Sequence, residues 1–260
     1  MSAGSPLGQT AQLAWRTMVR TTRQPAPLVM AIVFPLILWT INSSGLAAAV
    51  NLPDFPTTSY MSFLLAVPFI QGALFSIINT GTELARDIET GFLNRLALTP
   101  LRPFSLIGGL LGGALLLGLT QAFVYLAVGM IAGAELATGV GGVFVIVLLS
   151  VLIALGAGSL GLFVALRTGS GEAVQGMFPI FFVFLFISSM ALPRDLIQAD
   201  WFREIATYNP VSYLIEAIRS LLITGWDAEA LALGFGVALA IAACGLTAAS
   251  MALRTRLVRT

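Results

Sequence analysis

The sequence predicts an all-α polytopic membrane protein with six transmembrane helices. Two observations predict it. Of 260 residues, 58% are hydrophobic and only 10% charged, against about 25% charged in a typical soluble domain. The few charges also divide the chain into apolar runs, each long enough to cross a bilayer. A span needs about 20 apolar residues, at about 1.5 Å per residue, to cover about 30 Å of hydrocarbon. Within hydrocarbon the backbone must satisfy its own hydrogen bonds, and no alternating polarity suggests a barrel, so the runs are helices.

The spans fall at about 28–50, 60–83, 103–132, 140–166, 173–193 and 230–253, and none reads as a half-span. They form a membrane domain over 26–253. A segment at 1–25 precedes it, a charged loop at 84–102 and an outer segment at 194–226 interrupt it, and a tail at 254–260 follows. Arginine placement sets the orientation. With the N-terminus inside, ten arginines lie in cytoplasmic segments and three (Arg194, Arg203, Arg219) outside. Both termini are then cytoplasmic, in a multi-pass protein of the cell membrane. The first run resembles a signal peptide only at Ala47–Ala49. Its apolar core exceeds the h-region length of about 7–15 residues, so it is read as a retained span.

Composition excludes several chemistries. All 13 basic residues are arginine, and there is no histidine. Without lysine the chain cannot hold a P-loop, which needs that side chain on the phosphates. Without histidine it has no Ser-His-Asp triad and no histidine-zinc site, and no metal is expected. The net charge of +1 gives no field for nucleic acid. The single cysteine, Cys244, permits no intrachain disulfide and reads as a small packing residue.

Before the first span, Leu7, Ala11, Trp15 and Met18 recur at helical spacing. This suggests an amphipathic helix on the inner surface with its arginines toward anionic lipid; a disordered basic tail is the alternative. Residues 83–102 hold six charges in a charge-poor chain. Phe92, Leu93 and Leu96 suit one face of a short helix, which Pro100 and Pro103 end. Such a loop suits a soluble partner, or is an ordinary positive-inside loop. In the last outer segment Asn209-Pro210 reads as a helix start and Gly225 as its end. Val211, Leu214, Ile215, Ile218, Leu221 and Leu222 form a stripe. The segment is a re-entrant or interfacial hairpin, or a plain loop helix. Gly108-Gly109 and Gly112-Gly113 form overlapping GxxxG pairs, for packing within the chain or at a dimer seam. Pro35 and Pro68 are candidate kinks.

Two stretches carry a family resemblance. Arg86-Asp-Ile-Glu89-Thr-Gly91-Phe-Leu-Asn-Arg95-Leu96-Ala-Leu-Thr99-Pro100 follows the second span, and Asn209-Pro210-Val-Ser-Tyr213-Leu-Ile-Glu216-Ala-Ile-Arg219 precedes the last. With the span count, they resemble the ABC-2 type permeases, nearest the daunorubicin-resistance-like exporters. Phe92 and Asn94 depart from the family's usual threonine and glutamate. The resemblance implies that 84–99 is a coupling helix seated on a separate ATPase, through Arg86, Asp87, Glu89, Gly91, Phe92, Arg95 and Leu96. It implies two permease chains, alike or different, and two ATPases carrying ATP and Mg, with no cofactor on this chain. Residues 1–25 become a connecting helix, and Asn209, Pro210, Tyr213, Glu216 and Arg219 belong to an outer cap.

The chain is then the permease subunit of an ATP-driven exporter for a drug-like, lipid-like or glycan cargo, and not an enzyme. A secondary carrier is the alternative, but no charged residue lies at mid-depth. A membrane enzyme lacks a catalytic set. The polar span residues Asn42, Gln71, Asn79, Gln121, Tyr125 and Gln175 are candidates for the pathway lining. Their scarcity favours an amphipathic cargo.

Overall fold

A computed structural model describes residues 5–97, 103–134 and 136–259. Thirteen α-helices occur among them. In chain order they are α1 (Pro6–Thr22), α2 (Pro25–Gly45), α3 (Tyr60–Leu64), α4 (Ala66–Glu89), α5 (Phe92–Ala97), α6 (Pro103–Leu110) and α7 (Gly112–Ile131). Then come α8 (Gly139–Thr168), α9 (Gly171–Gln175), α10 (Phe178–Phe186), α11 (Asp200–Tyr208), α12 (Pro210–Arg219) and α13 (Ala228–Arg259). No strand occurs among the described residues.

Among the described residues five units are long and apolar enough to cross a membrane: Pro25–Gly45, Tyr60–Glu89, Phe104–Ile131, Gly139–Thr168 and Ala228–Arg256. The fifth run, expected as a full span over 173–193, differs. It folds as two helices, α9 and α10, covering Gly171–Phe186. It starts beside Thr82 and Ala85 of α4 and its last carbonyls meet Asn209 at the other end of the bundle, so the run crosses as an interrupted helix and not as a continuous one. The interruption at Gly176 follows from Pro179, which has no N–H for the Gln175 carbonyl four residues back. Pro68 acts alike on the Leu64 carbonyl, and the second span breaks at Leu65 between α3 and α4. Pro35 does not break α2, which runs through it.

The bundle is built around α4 and α8, which touch along a seam of small residues. A Cβ added to Gly161 would lie 2.2 Å from the Ile77 carbonyl oxygen, and one on Gly81 would lie 2.8 Å from the Gly161 oxygen. Only glycine lets the backbones come that close. Ser76 Oγ donates to the Ala154 carbonyl across the same seam (3.0 Å). On its other side α8 meets α13, where Gly245 packs on Ser159 and Gly156 on the Ala242 backbone. The faces left open carry apolar side chains such as Val29, Ile37, Phe144, Ile180 and Leu239, as a lipid-facing surface must.

The two ends of the bundle differ. At one, α1 and α5 gather with the ends of α4, α8 and α13, where Arg256 Nη1 donates to the Leu166 carbonyl (2.9 Å). At the other, α11 and α12 close the bundle beside the start of α13.

Candidate functional sites at the two ends of the bundle

Ser5 caps α1, its Oγ accepting from Gly8 N at 3.2 Å. One face of α1 is small and lies on the glycine pairs of the third span. A Cβ on Gly109 would sit 2.2 Å from Leu13 Cβ, and one on Gly112 would sit 2.6 Å from Ala14 Cα. Thr17 Oγ1 donates to the Gly109 carbonyl at 2.9 Å. The overlapping GxxxG pairs therefore seat the N-terminal helix of the same chain. The opposite face, with Leu7 and Trp15, is exposed.

The arginines of α1, expected to face lipid headgroups, turn inward instead. Arg16 forms a bidentate contact with Asp87 (3.3 Å on each arm), and Arg20 Nη1 reaches Asp87 Oδ1 at 2.7 Å. Arg20 Nε also lies 4.0 Å from Glu83 Oε1. Asp87 is only 5% exposed, so leaving it unpaired there is costly and two guanidinium groups compensate it. The Arg16 guanidinium also stacks over the Phe92 ring, 4.0 Å from its centroid. One side chain thus ties α1 to both α4 and α5.

This geometry divides the residues expected to couple to a partner. Asp87 is buried under α1 and holds that helix. Arg86, Glu89 and Arg95 are exposed, and none is in an ion pair among the described residues. Phe92 and Leu96 are half-buried. Gly91 makes the turn between α4 and α5 with φ +67°, a left-handed conformation that glycine adopts without strain. A polar recess opens beside it, lined by Thr82, Arg86, Glu89, Ser170, Glu172 and Gln175 among others. The Thr99-Pro100 end of the motif and Arg102 lie outside the described residues.

The candidate pathway residues scatter. Gln121 Nε2 and Tyr125 Oη both donate to the Ala31 carbonyl, at 3.0 and 2.8 Å. That carbonyl is four residues before Pro35, so proline has removed its helical donor. Gln121 and Tyr125 replace the missing bond and fasten α7 to α2, where both are buried. Asn42 Nδ2 bonds its own helix at the Leu38 carbonyl (2.8 Å). Gln175 is exposed at the end of α9, and Asn79 is half-buried. Gln71 is buried, with no hydrogen-bond partner for its Oε1. An edge-to-face phenylalanine series runs between α2, α4 and α10 instead: Phe34 meets Phe75 (6.0 Å) and Phe182 (6.3 Å), and Phe75 meets Phe178 (6.1 Å).

At the opposite end the polar residues of the second motif tie α12 to the end of α10, to the segment that follows it and to α11. Asn209 caps α12, its Oδ1 accepting from Val211 N (2.9 Å), while its Nδ2 donates to the Phe184 and Ile187 carbonyls (2.6 and 3.2 Å). Ser212 Oγ accepts from Ser189 N at 3.0 Å. Glu216 takes Arg194 in a fork (2.7 and 2.5 Å) and accepts from Ser189 Oγ at 2.7 Å. Tyr213 Oη donates to the Thr207 carbonyl (2.7 Å), and its ring supports Arg194 from 4.3 Å.

Arg219, 7% exposed, bonds the Ser189 and Met190 carbonyls at 3.1 Å and the Phe63 carbonyl at 3.2 Å. Its guanidinium lies 3.6 Å from the Phe63 ring centroid. Burial pushes Arg219 down to about 9, opposed by the charge of Glu216, so it remains a cation at neutral pH. Phe63 lies in the last turn of α3, where carbonyls lack intrahelical donors, and Ser189 and Met190 lie in the turn after α10; one buried guanidinium serves all three. After Arg219 the chain makes a π-turn at Ser220–Thr224. Its Leu221 and Leu222 carbonyls accept from Thr138 Oγ1 (2.8 Å) and Ala137 N (3.2 Å).

Asn209, Glu216 and Arg219 were readable as motif members, but Arg194 as the partner of Glu216 and Ser189 as the partner of Arg219 were not. Likewise Asp87 was readable and its arginines on α1 were not. Proline at position 35 was the one available signal that the carbonyl of residue 31 needed a foreign donor.

A bundle of lipid-facing helices, closed at one end by a charged helix pair and at the other by a hydrogen-bonded hairpin, defines a multi-pass α-helical membrane protein. The chain belongs to the ABC-2 type transporter family, whose model matches residues 8–223. It is 33% identical to "Putative transport permease ycf38" of Porphyra purpurea over 220 residues, covering 83% of this chain and 74% of that one. The proteins of the same name from Pyropia yezoensis and Cyanophora paradoxa are 32% and 28% identical over 213 residues, 80% of this chain and 72% of each. The protein is thus a membrane-embedded transport permease.

Proposed function

We propose that this permease is the membrane subunit of an ATP-driven exporter, with α5 and the adjoining end of α4 as the surface that receives a separate ATPase chain. The carrying observation is the division of charge at the α1 end. Asp87, Arg16 and Arg20 compensate one another, whereas Arg86, Glu89 and Arg95 are exposed and in no ion pair among the described residues. In a chain with 10% charged residues, exposed charges gathered on the end of α4 and on α5 suit a protein partner. The chain has no lysine for a P-loop, so ATP and Mg belong on that partner. Two permeases, of one or two kinds, and two ATPases make the working unit in the cell membrane. The α1 end faces the cytoplasm, as the arginine bias requires.

Movement of the ATPases pushes on α5. It passes into α4 directly and into α1 through Arg16, which holds Asp87 and Phe92 together. From α4 it reaches α2 and α10 through Phe34, Phe75, Phe178 and Phe182. An apolar, aromatic lining suits an amphipathic cargo, a drug-like or lipid-like molecule better than an ion. Glu89→Ala is expected to lower transport by the co-reconstituted permease and ATPase while leaving membrane insertion intact. Phe92→Asp should lower it further, because it also removes the ring under Arg16. Wild-type export rates from both variants would overturn the assignment.

A further inference from the structure

At the end opposite α1, a groove lies between the end of α10 and α11. Its volume is about 520 Å³, inside the small-ligand range of about 300–1,000 Å³. Phe184 and Ile187 line it from α10 and the turn after it, and Trp201, Glu204, Ile205 and Tyr208 line it from α11. Positions 201, 204, 205 and 208 recur at helical spacing, so α11 turns one face into the groove. The backbone on both sides is tied together by Asn209, whose Nδ2 bonds the Phe184 and Ile187 carbonyls while its Oδ1 caps α12. Phe184, Trp201, Ile205 and Tyr208 are nevertheless bare, and Ile180 and Val183 continue the bare apolar face along α10. Charge in the groove is one-sided. Glu204 is the only charged residue lining it among the described residues. It is exposed and in no ion pair among the described residues. Its neighbour Arg203 points to another face of α11, where Asp200 and the Ile197 carbonyl hold it.

We infer that this groove binds a cationic amphiphile, with its ammonium head against Trp201, Tyr208 and Glu204 and its apolar tail along α10. Tryptophan and tyrosine rings attract a cation through their quadrupoles, and aromatic cages recognise quaternary ammonium groups in this way. The Glu204 carboxylate adds the opposite charge. An anionic head would meet that carboxylate with no cation in the groove to offset it, and a zwitterionic phospholipid would bring its phosphate to the same place. The bare stripe of Ile180, Val183 and Phe184 gives the tail an apolar track that leads into the groove. Binding is a property of the permease alone, so the site does not rest on how transport is driven.

The test is fluorine NMR of the whole permease in lipid nanodiscs, with its four tryptophans replaced by 5-fluorotryptophan. The Trp201 resonance is assigned through Trp201→Phe. Decyltrimethylammonium, decyl sulfate and decyl maltoside are titrated in turn. The first should shift the Trp201 resonance to saturation at a concentration several-fold below that of the other two. Glu204→Gln and Tyr208→Leu should each raise its half-saturation concentration about 2- to 5-fold. Tyr208→Phe keeps the ring and should leave it unchanged. Glu204 and Tyr208 are exposed, so neither change threatens the fold. Equal half-saturation for the ammonium and the sulfate, or unchanged binding in Glu204→Gln, would reduce this face to a plain interfacial anchor and overturn the site. A Trp201 resonance that none of the three amphiphiles moves would mean that the groove is covered, as by a second copy of the chain, and would overturn it equally.

Discussion

Single residues in this protein repair what its own backbone breaks. Pro35 deprives the Ala31 carbonyl of its helical donor, and Gln121 and Tyr125 supply two foreign ones. A buried carbonyl left without a partner costs about 1–3 kcal/mol. Gln121→Leu combined with Tyr125→Phe should therefore destabilise the folded protein by that amount, read as a lowered midpoint of thermal unfolding in detergent. Pro35→Ala returns an N–H to α2, so the same pair of changes should cost much less in that background. Equal costs in both backgrounds would contradict the proline account. Polar residues inside a span invite a functional reading, and Gln121 and Tyr125 received one. Choosing between lining and repair needed the distance to a carbonyl some 90 positions away, which no local pattern contains. Asp87 shows the same limit: its charge was legible, but not that Arg16 and Arg20 would fold over it.

Elements are fixed by what ends them and by how closely they approach. The start of α12 at Asn209-Pro210, and the stop at Gly225 of the π-turn that extends it, were legible because capping is local chemistry. The length of α10 was not. Hydropathy continues past Phe186, and only the tertiary bonds to Ser189 and Met190 show the chain turning away there. Arg219 closes that end. Its loss strands three carbonyls, so Arg219→Gln should lower stability by about 3 kcal/mol or more. Arg219→Lys should not restore it, because an ammonium lacks the planar fork that spans separated acceptors. Recovery of wild-type stability by lysine would contradict the geometric argument.

The N-terminal helix makes a second case at this scale. Gly109 admits Leu13 at a distance no Cβ tolerates, so Gly109→Leu should lift α1 from the third span. Asp87→Ala should loosen it from the fourth helix. Both variants should be cut faster by trypsin after Arg16 and Arg20 than the wild type. Unchanged cleavage in both would show that α1 is held by something other than these contacts. The glycine spacing announced a close approach, but left the partner helix open. Its partner is the element that composition described as interfacial or disordered.

At the scale of the whole molecule, the all-helical membrane character was legible from composition and charge spacing, because lipid imposes one rule on every span. What the bundle adds is the arrangement at its two ends. At one, Asn209, Glu216, Arg194 and Arg219 tie the hairpin together, with Asp195 and Asp227 exposed around a recess. The other keeps Arg86, Glu89 and Arg95 exposed beside a polar recess. A machine that draws energy from a partner needs an exposed charged surface on the partner's side. Reconstitution into inverted proteoliposomes, with and without the ATPase chain, tests this most directly by uptake of a fluorescent amphiphile. Uptake should require the ATPase and ATP together and survive collapse of the proton and sodium gradients. Uphill uptake by the permease alone, driven by either gradient, would contradict the account.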